Sequence, residues 1–241
     1  MGPWSPVSLK PVEVRLWLID SSRATVGELQ ACEQSLSPDE QQRAGRFISS
    51  EARRQFVLAR ALLRRALSCC TGVPPAQWVF AQDPYGKPHV AEPAGVPLSF
   101  NVSHTRGLAA CAVTDGGAVG VDVEHRGRTL DLPGLARQLF AAREMEHFES
   151  LEPQGARDYF FAIWTLKEAY LKARGVGLSH PLEAVSLELA GANGARCSDT
   201  DQPWHFLRSQ PTRAHVLALC TALPQSPHVT TAWVSAVELS K

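Results

Sequence analysis

The chain has 241 residues, 44% of them hydrophobic, which is enough for one large or two small domains with a real core and no covalent staples. Its 24 Lys and Arg balance its 24 Asp and Glu, so no global field draws nucleic acid or an anionic membrane, and any polyanion must meet a local cluster. No apolar run approaches the roughly 20 residues that span a bilayer, and the opening residues lack a basic segment followed by an apolar signal core, so a cytoplasmic protein is expected. The six cysteines (Cys32, Cys69, Cys70, Cys111, Cys197, Cys220) show no CxxC spacing and read as reduced, mostly buried small hydrophobes, neither disulfides nor metal ligands.

In chain order, Val14, Leu16 and Leu18 alternate with Arg15, Trp17 and Ile19, predicting an opening strand with a mostly apolar face, followed soon by a helix. Ser37-Pro38-Asp39-Glu40 is a helix start, with Ser as N-cap, Pro at the first helical position and Glu where a capping box wants it. Between Glu51 and Cys70, the positions Phe56, Ala59, Leu63, Ala66, Leu67 and Cys70 recur at helical spacing and predict a long amphipathic helix. Segments 71–75 and 83–88 read as Pro- and Gly-bearing turns, and Leu98 to Val102 as a short strand. Leu108 to Thr114 and Ala118 to Glu124 flank Asp115-Gly116-Gly117, a β-hairpin pattern.

Further on, Leu132 to Ser150 reads as a broken helix and Asp158 to Arg174 as a strong helix ended by Gly175, with strands at His215 to Ala222 and Val229 to Ala236. Two halves of strand-helix-strand character result, 1–116 and 117–241. No repeat, low-complexity tract or flexible linker separates them, so they are expected to pack as one compact unit.

The chemistry-bearing residues fall in four places. In Gly120-Val121-Asp122-Val123-Glu124 a strand would bury Val119, Val121 and Val123 on one face and bring Asp122 and Glu124, roughly 6–7 Å apart along the strand, onto the other. Adjacent carboxylates repel unless a cation lies between them, and hard oxygen donors suit Mg²⁺ with bound phosphates, with Gly120 leaving room for a ligand. The same alternation equally fits a solvated edge strand. Trp164, Glu168 and Lys172 are four apart on one helical face, with Glu168 and Lys172 in the favourable order for an ordinary exposed ion pair. The Trp on that stripe would shield the pair from water, where Lys172 could hold a phosphate or orient Glu168 as a base. Phe100-Asn101-Val102-Ser103-His104 ends a strand with a hydroxyl and an imidazole that could meet phosphate oxygens or simply sit in a turn. Gly86-Lys87-Pro88 holds an ammonium in a rigid turn. Of the arginines Arg43, Arg46, Arg53, Arg54, Arg60, Arg64 and Arg65, only a subset could converge on one anion. No Gly-rich phosphate loop, HExxH, GxSxG or zinc spacing is present.

Taken in order, GKP (86–88), FNVSH (100–104), GVDVE (120–124) and WTLKEAYLKARGVGL (164–178) resemble the successive motifs of Sfp-type 4′-phosphopantetheinyl transferases, and the similarity begins near SPDEQQRAGRF (37–47). The resemblance implies an α+β fold of two pseudo-twofold-related halves, each a small antiparallel sheet packed on a long helix, with coenzyme A in the cleft between them. It also implies a monomer that moves phosphopantetheine from coenzyme A to a serine of an apo acyl carrier protein or peptidyl carrier domain, in fatty acid, nonribosomal peptide or siderophore biosynthesis.

By the same resemblance, Asp122, Glu124 and Glu168 correspond to the Mg²⁺ ligands. Lys87, Ser103, His104 and Lys172 correspond to phosphate contacts of coenzyme A, and Arg43 and Arg46 to basic positions near its 3′-phosphate. Glu168, Lys172 and His104 are the expected catalytic residues. Glu40 departs from the pattern, since some relatives carry Lys there. Two rival readings use the same residues: a silent module that binds coenzyme A or a carrier without transfer, and a Mg²⁺ enzyme that hydrolyses a nucleotide diphosphate. A carrier is expected to dock near Leu132 to Phe148, where Leu135, Leu139, Phe140, Met145 and Phe148 offer apolar side chains, at least half of them core.

Overall fold

The computed structural model describes residue 4 and residues 9–10, 12–177, 180–198 and 202–240, so Leu178, the last residue of the longest motif, lies outside the described residues. The fold is α+β. By internal contact the chain divides into one unit of residues 1–116 and 228–241 and a second of residues 117–227.

In the first unit, β1 (Glu13–Asp20) is buried on both faces, Val14, Leu16, Trp17, Leu18 and Ile19 all being at most 3% exposed. Helices α1 (Val26–Gln34) and α2 (Pro38–Gly45) each begin with a complete capping box, Thr25 with Glu28 and Ser37 with Glu40. α3 (Ser50–Thr71) follows the expected apolar stripe and stops at Gly72, whose φ of 80° ends the helix in the left-handed conformation. Its buried face, with Leu58, Leu62, Leu63 and Leu67, shares one core with Trp17, Ile19, Cys111 and Val113 of the sheet. After the small hairpin β2 (Val79–Gln82) and β3 (Pro88–Glu92) come β4 (Leu98–Thr105) and β5 (Leu108–Asp115).

The second unit opens with β6 (Ala118–His125). The broken helix resolves into α4 (Leu132–Leu139) and α5 (Ala142–Glu149), and α6 (Pro153–Arg174) starts five residues before the expected Asp158 because Pro153 sits at its first turn. Then come β7 (Leu187–Ala190), β8 (Gly194–Cys197), β9 (Trp204–Thr212) and β10 (His215–Ala222). α6 packs on the antiparallel sheet β6-β10-β9, with Phe160, Phe161, Ile163, Leu166, Ala169 and Tyr170 in its core.

Two sequence expectations are corrected. Residues 108–114 and 118–124 do not form a hairpin: β5 pairs with β4 and β1 on its two sides, leaving no free edge for β6, which pairs with β10 instead. Gly116 and Gly117, at φ 79° and 72°, turn the chain between different sheets. The expected strand near 229–236 exists as β11 (His228–Val234), but it pairs in parallel with β1, and with α7 (Ala236–Leu239) it completes the first unit. The sheet β11-β1-β5-β4 therefore carries one parallel neighbour among antiparallel ones.

None of the six cysteines is in a disulfide, three of them are fully buried, and burial raises the thiols of Cys32 to about 11 and Cys70 to about 12. Among the described residues no helix is long and apolar enough to cross a membrane.

Candidate active site

The centre of the second unit is the contact between β6 and α6. At Gly120 an added Cβ would stand 2.0 Å from the carbonyl oxygen of Ala169 and 2.4 Å from the amide nitrogen of Ala173. The space that Gly120 leaves is thus filled by the helix backbone, not by a ligand. This close approach brings the Trp164, Glu168 and Lys172 stripe against the carboxylates of the strand. Lys172 Nζ lies 2.6 Å from Asp122 Oδ1, and Trp164 Nε1 donates to Glu124 Oε1 at 3.0 Å. Asp122 and Glu124 are 4% and 9% exposed, so the strand is not a solvated edge.

The expected ion pair within the helix is replaced in part, since the bridge that Lys172 forms runs across to Asp122. Arg128, in the loop after β6, lies 2.9 Å from Glu124 Oε2. Burial lifts the Glu168 carboxyl above its ordinary value; Lys172 pulls it back, and the charges of Asp122 and Glu124 push it up again. Glu168 therefore shares an electrostatic site with both strand carboxylates. Among the described residues it has no ion pair of its own, and no three His, Cys, Asp or Glu side chains stand ready to share a metal ion. The resident cations Lys172 and Arg128 hold Asp122 and Glu124.

The remaining candidates lie in the first unit. Ser103 and His104 sit near the end of β4, the serine buried and the histidine exposed. Lys87 closes the β2–β3 turn, where Asp83 Oδ1 accepts from the amides of Tyr85 and Lys87 at 2.9 and 2.8 Å. Arg43 and Arg46, at the end of α2, are exposed; Arg43 stacks over Phe56 and Arg46 donates to Gln42. Most other arginines are committed inside the unit: Arg53 to Glu33, Arg54 to the Ala24 carbonyl, Arg60 and Arg64 to Glu40, and Arg65 over Trp4. Glu40 does structural work here. Burial alone would raise its carboxyl, yet Arg60, the Ser37 amide and Arg64 outweigh that and hold it below the ordinary value.

Residues 22–115 match the family described as 4′-phosphopantetheinyl transferase, N-terminal, and residues 118–220 match the 4′-phosphopantetheinyl transferase superfamily. The 4′-phosphopantetheinyl transferase HetI of Nostoc sp. strain PCC 7120 is 37% identical over 224 residues, covering 91% of this chain and 93% of that protein. This chain belongs to the 4′-phosphopantetheinyl transferase family. The transferase is also similar to Sfp of Bacillus subtilis strain 168, at 27% identity over 80% of this chain and 84% of that one. A human relative, the L-aminoadipate-semialdehyde dehydrogenase-phosphopantetheinyl transferase, is 25% identical over 79% of this chain and 68% of its own.

Sequence reasoning passed over three parts of the transferase's second unit. Lys167, next to Glu168, is fully buried with Glu144 at 2.6 Å. Its ammonium also donates to the carbonyls of Leu139 and Leu182, while Glu144 accepts from the amides of Ala141 and Leu187. The signal was present: Lys167 lies three and four residues from Ile163, Tyr170 and Leu171, so it sits on the apolar stripe. Arg157 clamps the loop after β6 through the carbonyls of Arg126 and Arg128. Arg128 itself lies outside the motifs, and only the fold brings it back to Glu124. Of the proposed docking side chains, Phe140 and Phe148 are core, while Leu135, Leu139 and Met145 are partly buried against it.

Proposed function

We propose that this transferase moves the 4′-phosphopantetheine group of coenzyme A to a serine hydroxyl of an apo acyl carrier protein or peptidyl carrier domain, releasing adenosine 3′,5′-bisphosphate. The observation that carries the reading is the meeting of Asp122 and Glu124 with the Trp164–Glu168–Lys172 face of α6 in one buried, charge-coupled cluster.

The donor chemistry of Asp122, Glu124 and Glu168 fits Mg²⁺: three carboxylates, no thiolate or imidazole, with Glu168 raised first by burial and then by the charges of the other two, a repulsion that a cation would relieve. Bound there, Mg²⁺ would supply divalent charge to grip and neutralise a diphosphate. Glu168 takes the proton of the attacking serine, directly or through a water, as the serine oxygen bonds to phosphorus and the bond to the nucleotide phosphate breaks. Lys172, leaving Asp122, and His104 steady the phosphate oxygens as charge moves to the leaving group. By their match to the family's motifs, Lys87 and Ser103 are further proposed contacts of coenzyme A phosphates, and the exposed Arg43 and Arg46 at the end of α2 are proposed contacts of its 3′-phosphate. A cytoplasmic monomer completes the proposal.

The test incubates the protein with apo carrier, coenzyme A and Mg²⁺ and weighs the carrier by mass spectrometry. The carrier should gain one phosphopantetheine. Unmodified carrier at saturating substrate, or coenzyme A cleaved with no acceptor present, would overturn the reading.

A further inference from the structure

Glu124 is gripped from two sides, by a stacked indole and by an exposed guanidinium. Trp164 Nε1 donates to Oε1 at 3.0 Å, and its ring stacks on Phe160 with centroids 6.3 Å apart and planes 9° from parallel. That donor is packed in place. On the other side, Arg128 Nη1 lies 3.1 Å from Oε1 and 2.9 Å from Oε2. The Arg128 side chain is 48% exposed against 12% for Glu124, so its guanidinium stands at the rim with a path to water.

The backbone beneath Arg128 is held. Arg157 grips the carbonyls of Arg126 and Arg128, the Arg128 amide donates to the His125 carbonyl, and the Gly127 amide donates to His125 Nδ1. Only the side chain has to leave for Glu124 to take another cation.

We propose that Arg128 is a resident counter-ion of Glu124 that a divalent cation must displace, so that it sets the metal affinity of the site while Trp164 keeps the carboxylate aimed. The inference rests on the Mg²⁺ reading above. A guanidinium stays charged at every working pH, so its competition with the metal is built in. Arg128 is a positioning residue, acting through Glu124 and touching no substrate.

The experiment titrates the protein, without coenzyme A, with Mn²⁺ as a paramagnetic stand-in for Mg²⁺ and reads free Mn²⁺ by electron paramagnetic resonance. Arg128→Gln should bind Mn²⁺ on the order of tenfold more tightly than wild type, the effect of removing one unit charge beside a divalent ion near the surface. Arg128→Lys should stay close to wild type, since it keeps the charge. Equal or weaker binding by Arg128→Gln, with binding lost in Glu124→Gln, overturns the counter-ion role and leaves the metal reading standing. Wild type that binds no Mn²⁺ more tightly than Glu124→Gln overturns the metal reading itself.

Discussion

At the scale of single residues, Gly120 decides whether the site exists. Its strand conformation is one that other residues adopt, and what it supplies is the absence of a Cβ where the α6 backbone passes within 2.0 Å of that position. Gly120→Ala should destabilise the protein by about 1–3 kcal/mol, the usual cost of overpacking. It should lower transfer activity further than that loss explains, because α6 carries Glu168 and Lys172. Thermal melts and initial rates measured together check this, and unchanged activity in the folded variant would contradict it.

Glu40 shows a residue whose role only the structure reveals. In the sequence it stands out only as a departure from the family pattern; in the fold it ties Arg60 and Arg64 to the start of α2. Its folded carboxyl lies below the ordinary value, so its stabilising charge is present above the unfolded carboxyl's titration and is lost as pH falls through the folded one. Glu40→Gln should cost about 1.5–3 kcal/mol at pH 7. That gap should shrink as both proteins are acidified below the ordinary carboxylate range, and denaturant titration at several pH values reads it.

At the scale of elements, the strongest local signals were legible and the long-range pairings were not. The capping box of α2, the stripe of α3, the break between α4 and α5 and the Gly175 stop of α6 all follow from neighbours a few residues apart. The mistaken hairpin at Asp115-Gly116-Gly117 has the opposite cause: a turn signal says that the chain bends, while the partner of each strand is set by which edges are already taken. β9 went unread because it is an edge strand with polar positions and Pro211 near its end, a weak period-2 pattern. The buried pair Lys167–Glu144 belongs to this scale, since it ties the end of α4, the start of α5, the turn at Leu182 and the first residue of β7 to α6. Lys167→Ala leaves a buried carboxylate without its cation and should cost about 3–5 kcal/mol, readable by denaturant titration. A loss below 1 kcal/mol would show the pair to be dispensable.

At the scale of the whole molecule, four short motifs in fixed order identified the family before any fold was known, and residues 22–115 and 118–220 match its models. The second-unit cluster was legible in outline, because period 2 on a strand puts Asp122 and Glu124 on one face and period four on a helix lines up Trp164, Glu168 and Lys172. What the sequence could not show is how these faces meet: which side chain Lys172 bridges, that Arg128 returns to Glu124, and that the last strand joins the first unit.

The central claim is that acids of β6 and α6 act as one divalent-cation centre for group transfer. It is tested most directly by single-turnover transfer to an apo carrier, with Mg²⁺ or with chelator, by wild type and by Glu168→Gln. Wild type should convert the carrier only with the metal, and Glu168→Gln should be slower by about 10²-fold or more. Conversion by the variant at the wild-type rate, or by wild type in chelator, would contradict the account.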